Sequence, residues 1–399
     1  MQSLIFNATS LVNWYAPPNG IIRANAELVL KLLHAQVTIR FVRFCQDQLS
    51  FVNVDLEMII DSLKRILCIE RSLLQEYTAQ LRFFDDFNRL GGSSSDIFMT
   101  MGFDWDQVPP GELYKLKESG LTLVTFCYDL IPILVPEYCL ARVSQLFPVY
   151  ISELAWSSDL IFCISQSTLI DLKDVLEKMG CPAPLTRVVV LGSDYAVKKD
   201  RDIGGSRCQQ NQLPKSDYIL SISTVESRKN YILLVKAYKE LLNQGIDPPL
   251  LLIVGSEGWD NAYTEITLMI RENPRLSQYI IFKSGLDDST VMYLIANSLF
   301  VVFPSHYEGW GLPVAEAMSL GKFVICSDNS SLPEVSQGLA HLLPSTNCNS
   351  WTEALKFYLS NPSKIIEREG FIRMNYKPRT WQEFTEEVVT HISILHQRK

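Results

Sequence analysis

Between Tyr218 and Cys326 short apolar runs alternate with stretches of helical periodicity, and few architectures accommodate that order. The runs Tyr218–Thr224, Leu250–Val254, Tyr279–Lys283, Leu299–Phe303 and Lys322–Cys326 read as strands buried on both faces of a sheet. Helices are expected to begin near Asn230, Tyr263, Ser289 and Pro313. Strands joined through helices run parallel with right-handed crossovers, so this region predicts a doubly wound parallel sheet. The N-terminal half repeats the order less regularly. Its expected strands are Leu4–Phe6, Val37–Phe44, Ile97–Thr100, Leu121–Phe126, Leu160–Ile164 and Val188–Leu191. Helical patterns run through Ala24–Leu33, residues 55–83 and Thr168–Lys178, and Ser93–Ser95 mark a loop.

Lys198–Lys215 combines adjacent glycines, several charges and the run Gln209-Gln210-Asn211-Gln212, a linker composition. The chain is therefore expected to divide into an α/β domain over 1–197, a linker over 198–215 and a second α/β domain over 216–378. A last helix within 379–399 either caps its own domain or crosses back to the first. A length of 399 residues gives each domain enough chain for a core of its own. Ligands of such sheets bind at the carboxyl ends of the strands, so two of them imply a cleft between those ends.

Composition removes several classes of function. A net charge of −8 argues against non-specific nucleic-acid binding, which needs a surplus of Lys and Arg. Nine cysteines without a CxxC pair suit a reducing compartment. The five histidines are scattered, so no metal site is expected. There is no basic stretch leading into an apolar segment at the N-terminus, and no uninterrupted apolar run of membrane-spanning length. The expected location is cytoplasmic. A nicotinamide-dependent enzyme would need GxGxxG opening a helix after the first strand, and neither half has it.

The densest chemistry lies in Glu308-Gly309-Trp310-Gly311-Leu312-Pro313-Val314-Ala315-Glu316, directly after the Leu299–Phe303 run. The glycines permit a tight turn and close backbone approach to a ligand. Pro313 suits the first position of a helix, where its missing N–H would be unpaired in any case, and Gly321 closes that helix. Unpaired N–H groups at such a start form a phosphate site. Glu308 precedes it and Glu316 lies about one turn in, on the scale of ~3.6 residues per turn. A carboxylate among Val314, Ala315, Ala317 and Met318 needs donors, which ribose hydroxyls would supply. Arg228 and Lys229, in the turn Thr224–Asn230, suit a diphosphate, although the turn alone also reads as a solvated basic loop. Gly255-Ser256-Glu257-Gly258-Trp259 reads as a plain loop turn. In Gly285-Leu286-Asp287-Asp288, Asp288 is expected to cap the next helix, with a backbone contact from Leu286.

On these residues the chain resembles glycosyltransferase family 4, whose hallmark is two glutamates separated by seven residues, here Glu308 and Glu316. The turn TVESRKN, the block FPSHYEGWGLP and the later Ser331–Val335 segment carry the same resemblance, closely over 218–340 and more loosely over 1–195. It implies the GT-B fold, two Rossmann-like doubly wound α/β domains facing each other across a cleft. Arg228 and Lys229 would neutralise the donor diphosphate, and the backbone of Gly309, Trp310, Gly311 and Leu312 would hold phosphate and sugar. Glu308 would bind sugar hydroxyls, Glu316 the ribose, and Gly20 would let its loop approach the donor. Many members have His where this chain has Tyr128, facing the donor sugar; a phenol donates a hydrogen bond but is a poor base. Asp104-Trp105-Asp106 has the DxD form that holds a metal in the other major glycosyltransferase fold, but GT-B enzymes use a helix start and cations instead.

The resemblance implies a retaining hexosyltransferase with no metal cofactor, using a GDP- or UDP-linked donor, GDP-mannose by preference. The acceptor would be a saccharide or lipid-linked saccharide in surface polysaccharide synthesis, reached in peripheral contact with the cytosolic membrane face. The rival expectation is a non-catalytic GT-B scaffold in a polysaccharide-assembly complex.

Overall fold

A computed structural model of the chain describes residues 4–16, 18–35, 37–68, 96–194, 214 and 216–397. They belong to two compact units, Met1–Gly192 with Arg379–Lys399, and Ser193–Pro378. The stretch proposed as a linker, and the part of the 55–83 helix beyond Cys68 with the Ser93–Ser95 loop, lie almost wholly outside the described residues.

The first unit is built on a seven-stranded sheet of order β3-β2-β1-β4-β5-β6-β7. Its strands are β1 Leu4–Asn7, β2 Ile39–Cys45, β3 Ser50–Asn53, β4 Ile97–Thr100, β5 Thr122–Cys127, β6 Leu160–Cys163 and β7 Leu185–Val188. All pairings are parallel except the β2–β3 hairpin. Strands β1, β4, β5 and β6 are buried at every residue, as unbroken apolar runs predict for a sheet covered on both faces.

Three features depart from the expectation. Strand β3 was not anticipated: of its four residues only Phe51 is buried, so the sequence shows no apolar run there. Strand β7 sits at Leu185–Val188 and not at Val188–Leu191, because Val189 and Leu191 are buried just beyond the ladder. Their apolarity reports burial, not pairing. The Ala141–Ser157 helix was also missed, since Pro148 stands inside it and proline ordinarily ends a helix. Its packing face (Phe147, Tyr150, Ile151 and Leu154) is buried in the unit's core, which offsets the missing hydrogen bond.

The last helix, Trp381–Gln397, returns to the first unit and packs against the Gly20–His34 helix. Gly192 makes room for it: a Cβ there would lie 2.5 Å from the Trp381 backbone nitrogen. Trp381 and Phe384 are both buried, and the Phe384 ring lies 6.3 Å from that of Phe126 on β5.

The second unit carries a six-stranded sheet, all parallel, of order β10-β9-β8-β11-β12-β13. The strands are β8 Tyr218–Ile222, β9 Leu250–Val254, β10 Ile280–Lys283, β11 Val301–Phe303, β12 Val324–Ser327 and β13 His341–Leu343. The short, half-buried β13 gave no apolar signal. Chain order runs outward from β8 to β10, then restarts at β11 on the other side of β8. The switch point of this sheet therefore lies between β8 and β11, and the loops leaving those two strands define where a ligand binds. Among the described residues no helix is long and apolar enough to cross a membrane.

Candidate active site

The loop leaving β8 is held against the loop leaving β11 by side-chain and backbone hydrogen bonds. Asn230 adopts the left-handed conformation at φ 58° and donates through Nδ2 to the carbonyls of Pro304, at 3.1 Å, and Ser345, at 2.8 Å. The His306 N–H donates to the Arg228 carbonyl at 2.8 Å. These ties place Arg228, Lys229 and Glu308 on one another. Lys229 Nζ lies 2.6 Å from Glu308 Oε1, and Arg228 Nη1 lies 3.0 Å from Oε2. Arg228 also donates to the Tyr307 carbonyl, and Lys229 stands over the Phe303 ring at 5.4 Å. Residues 79 positions apart in the chain thus form one charge cluster, with side-chain exposures of 15%, 11% and 9% for Arg228, Lys229 and Glu308.

Burial alone would raise the Glu308 carboxyl, but Arg228 and Lys229 outweigh it and hold the group at about 2. Burial and the neighbouring Arg228 lower the Lys229 ammonium, while Glu308 pulls it the other way. We take the cluster as fully ionised at neutral pH, because each charge has an opposite charge at hydrogen-bond distance. Two cations then face one carboxylate, with Glu226 Oε2 farther off, 3.9 Å from Arg228.

Glu308 is anchored from the other side as well. Its N–H donates to Ser330 Oγ at 2.9 Å, and Ser331 Oγ is within hydrogen-bond distance of the Glu308 and Trp310 carbonyls, at 3.0 and 2.8 Å. The glycine turn follows. Gly311 has φ 100°, and a Cβ on it would meet Leu332 Cδ2 at 2.8 Å, so both conformation and space demand glycine. The helix after it runs Leu312–Ser319, which puts Pro313 at its second position and not its first. The N–H groups of Val314 and Ala315 both donate to the Gly311 carbonyl. Those of Trp310, Gly311 and Leu312 make no hydrogen bond to a described residue. Three successive N–H groups at a helix start are an anion-binding arrangement. The Trp310 Nε1 donor is also buried without a partner among the described residues. Glu316 is buried on this helix at 6% exposure.

The neighbouring loops are more tightly built than their sequences suggest. Gly255-Ser256-Glu257-Gly258 is no plain loop turn but is clasped to the β8 exit: Val225 donates to Ser256 and Gly258 to Val225. A Cβ on Gly255 would fall 1.8 Å from the Ser223 carbonyl oxygen, and one on Gly258 2.3 Å from Glu226 Cγ. Asp260, which motif reading passed over, accepts the Ser227 N–H at 2.7 Å and the Ala262 N–H at 3.0 Å. The cap of the Asp288–Asn297 helix is Asp287 and not Asp288. Asp287 Oδ1 accepts the Thr290 N–H at 2.7 Å, which leaves Asp288 as the first helical residue. Leu286 stands half-buried between Gly285, at φ 70°, and that cap.

Gly20 and Tyr128 belong to the first unit. Gly20 opens the Gly20–His34 helix, capped by Asn19. Tyr128 is 6% exposed and its hydroxyl donates to the Met101 carbonyl at 2.9 Å. Burial, with Asp104 nearby, pushes its ionisation well above the usual phenol range, so it is held as a neutral donor. The acids of Asp104-Trp105-Asp106 part company within a short helix, Asp104–Gln107. Asp106 is exposed beside Arg142 at 3.3 Å. Asp104 is 2% exposed, accepting from Thr100 Oγ1 at 2.6 Å and Asn7 Nδ2 at 3.0 Å. Among the described residues no group of three or more His, Cys, Asp or Glu is placed to hold a metal ion.

Burial pushes the Asp104 carboxyl up to about 6, with Glu153 adding to it and the Thr100 hydrogen bond opposing it. An acid raised in the folded state binds its proton more tightly there than when unfolded. Stability is therefore lost as pH rises from about 4 to about 6, by about 3 kcal/mol in all. Asp104→Asn keeps an acceptor for Asn7 and removes the charge. It is expected to raise the Tm at pH 7.5 while leaving it unchanged at pH 4, which thermal unfolding at the two pH values checks.

A family model described as glycosyl transferases group 1 matches residues 206–377. The chain is 30% identical over 267 residues to O-antigen chain mannosyltransferase B of Escherichia coli, covering 62% of this chain and 67% of that one. It is 23% identical over 295 residues to the serotype-specific mannosyltransferase WbdA of Escherichia coli, 71% of this chain. Only 35% of WbdA is covered, so the chain spans about a third of that relative's length. Among solved structures, HepE of Anabaena in complex with UDP and glucose aligns with a TM-score of 0.66 at 15% identity, covering 99% of this chain and 100% of that one. Two Rossmann-like doubly wound units of this kind are the GT-B fold of glycosyltransferases. The chain belongs to the glycosyl transferases group 1 family.

Proposed function

We propose that the protein is a retaining glycosyltransferase of family 4, which moves mannose from GDP-mannose to a hydroxyl of a saccharide or lipid-linked saccharide in surface polysaccharide synthesis. The observation that carries this reading is the Arg228–Lys229–Glu308 cluster beside the three open N–H groups of Trp310, Gly311 and Leu312. Departure of a nucleoside diphosphate needs charge stabilisation, and the buried Lys229 with the half-buried Arg228 and a helix start supply it without a metal ion. Glu308 keeps both cations in place and presents acceptor capacity to sugar hydroxyls, while Glu316 takes the ribose and the Leu286 backbone contacts the donor. A scaffold would have no need of buried cations held this way.

Glu308 is a poor covalent nucleophile, being held near 2 by two cations. We therefore favour a one-face mechanism, in which the acceptor enters on the side from which the diphosphate leaves. The mannose assignment draws on the named activities of the two Escherichia coli relatives, and UDP-linked donors are the alternative because HepE was solved with UDP. The test is nucleotide release from GDP-mannose, UDP-glucose and UDP-N-acetylglucosamine with a mannose oligosaccharide acceptor, in the presence of EDTA. Turnover of GDP-mannose to an α-linked product, read by NMR of the anomeric proton, is expected. No turnover with any donor overturns the enzyme reading, and an inverted anomeric centre overturns retention.

A further inference from the structure

We propose that an open cavity of about 560 Å³ in the first unit is a binding site for a neutral saccharide. It lies against the Thr9–Asn13 helix, β2 and the Leu56–Leu67 helix, and its wall includes Tyr15, Arg43, Asp55, Glu57, Asp61 and Arg65. Its volume falls within the range of about 300–1,000 Å³ of small-molecule sites.

Tyr15 is 78% exposed, so most of its ring is open to a ligand. The Arg65 guanidinium stands over it at 4.3 Å. Arg65 itself is fixed, donating to the Leu11 carbonyl at 3.3 Å, the Val12 carbonyl at 3.4 Å and Ser62 Oγ at 3.4 Å. An open aromatic face beside a fixed planar donor suits the C–H face and hydroxyls of a pyranose ring. Arg43, on β2, makes no hydrogen bond or ion pair with a described residue, so its five donors are uncommitted there.

Asp55 spends Oδ1 on the Met58 N–H at 2.8 Å, which leaves its second oxygen as an acceptor. Asp61 pairs with Lys64 at 3.1 Å at the surface, a contact worth little and easily exchanged for a ligand hydroxyl. The structural demand on this wall ends at Arg65 and Asp55. It does not account for Arg43.

Charge selects the ligand class. Two arginines face three carboxylates on the wall, so a phosphate meets net repulsion. Sugar hydroxyls both donate and accept, and they match a wall carrying both kinds of group. If the transferase reading holds, this is where a sugar unit of the acceptor is gripped. That role rests on the reading, whereas the binding does not.

The experiment is saturation-transfer NMR and calorimetry on the full chain without nucleotide sugar. The probes are neutral trisaccharides built on mannose, glucose or N-acetylglucosamine, with inorganic phosphate alongside. We expect one of the trisaccharides to bind and phosphate not to. Tyr15→Ala and Arg43→Gln should each weaken binding by about tenfold, the loss of one stacking or charge-assisted contact. Tyr15→Phe should retain it, and the Tm of each variant checks the fold. Unchanged affinity in both weakened variants, or phosphate competing with the sugar, overturns the site. Absent saccharide binding with donor turnover intact overturns the site and spares the transferase reading. Saccharide binding without turnover of any donor supports the site and removes that reading.

Discussion

Replacing Lys229 by alanine is expected to lower the rate of nucleotide release by about 10²–10³-fold, the usual loss when one preorganised charge-stabilising donor is removed. Lys229 is 9% exposed and spends one of its three donors on Glu308 at 2.6 Å. The other N–H donors of a buried ammonium act in a medium that screens them poorly, so on the proposed function their pull on a departing diphosphate would be strong. Without Lys229, Arg228 and Glu308 cancel one another and the cluster loses its net positive charge. Steady-state kinetics of the purified variant on the accepted donor, with the Tm as a check on folding, measures this. A variant that turns over as the wild type does would remove Lys229 from the chemistry.

The Glu308→Ala variant should lose stability as well as activity. It leaves two cations in a buried site without their counter-ion, and breaking a buried pair from one side costs about 3–5 kcal/mol. The wild-type pair also has a pH signature. Glu308 falls from an ordinary 4.5 to about 2 on folding, a depressed acid. Its contribution, about 3 kcal/mol at about 1.4 kcal/mol per unit, is whole above pH 4.5 and is lost as pH falls towards 2. Urea unfolding between pH 5 and pH 2 should therefore show a steeper loss for wild type than for Glu308→Gln. Parallel slopes would mean that the three charges do not depend on one another.

How much of this could be read from residues alone varies with the physics involved. Long apolar runs marked every central strand, because burial on both faces removes polar residues from the pattern. Edge elements escaped: β3 and β13 are short and half-exposed, so nothing in their composition separates them from loops. Pro148 hid a helix whose packing face outweighs its local preference. At the site, Glu308, Arg228 and Lys229 were recognisable as chemistry-bearing types. That they would bind one another depends on Asn230 and Ser330, two small polar residues whose ties cross from one loop to the next. Asp104 is the sharpest case. Its DxD pattern carries no sign of burial, yet Asn7 and Thr100 hold it in the core.

The return of the Trp381–Gln397 helix to the first unit bears on how the protein is made. During synthesis, domains tend to fold in the order in which they emerge. Here the first unit emerges first but lacks the helix that fills the space against Gly192 and Phe126. The whole of Ser193–Pro378 must be translated before that helix exists. The second unit can thus reach its native state while the first still exposes the seat of Trp381 and Phe384. A ribosome that stalls inside the second unit releases a chain whose first unit is incomplete, although every strand of its sheet has been made.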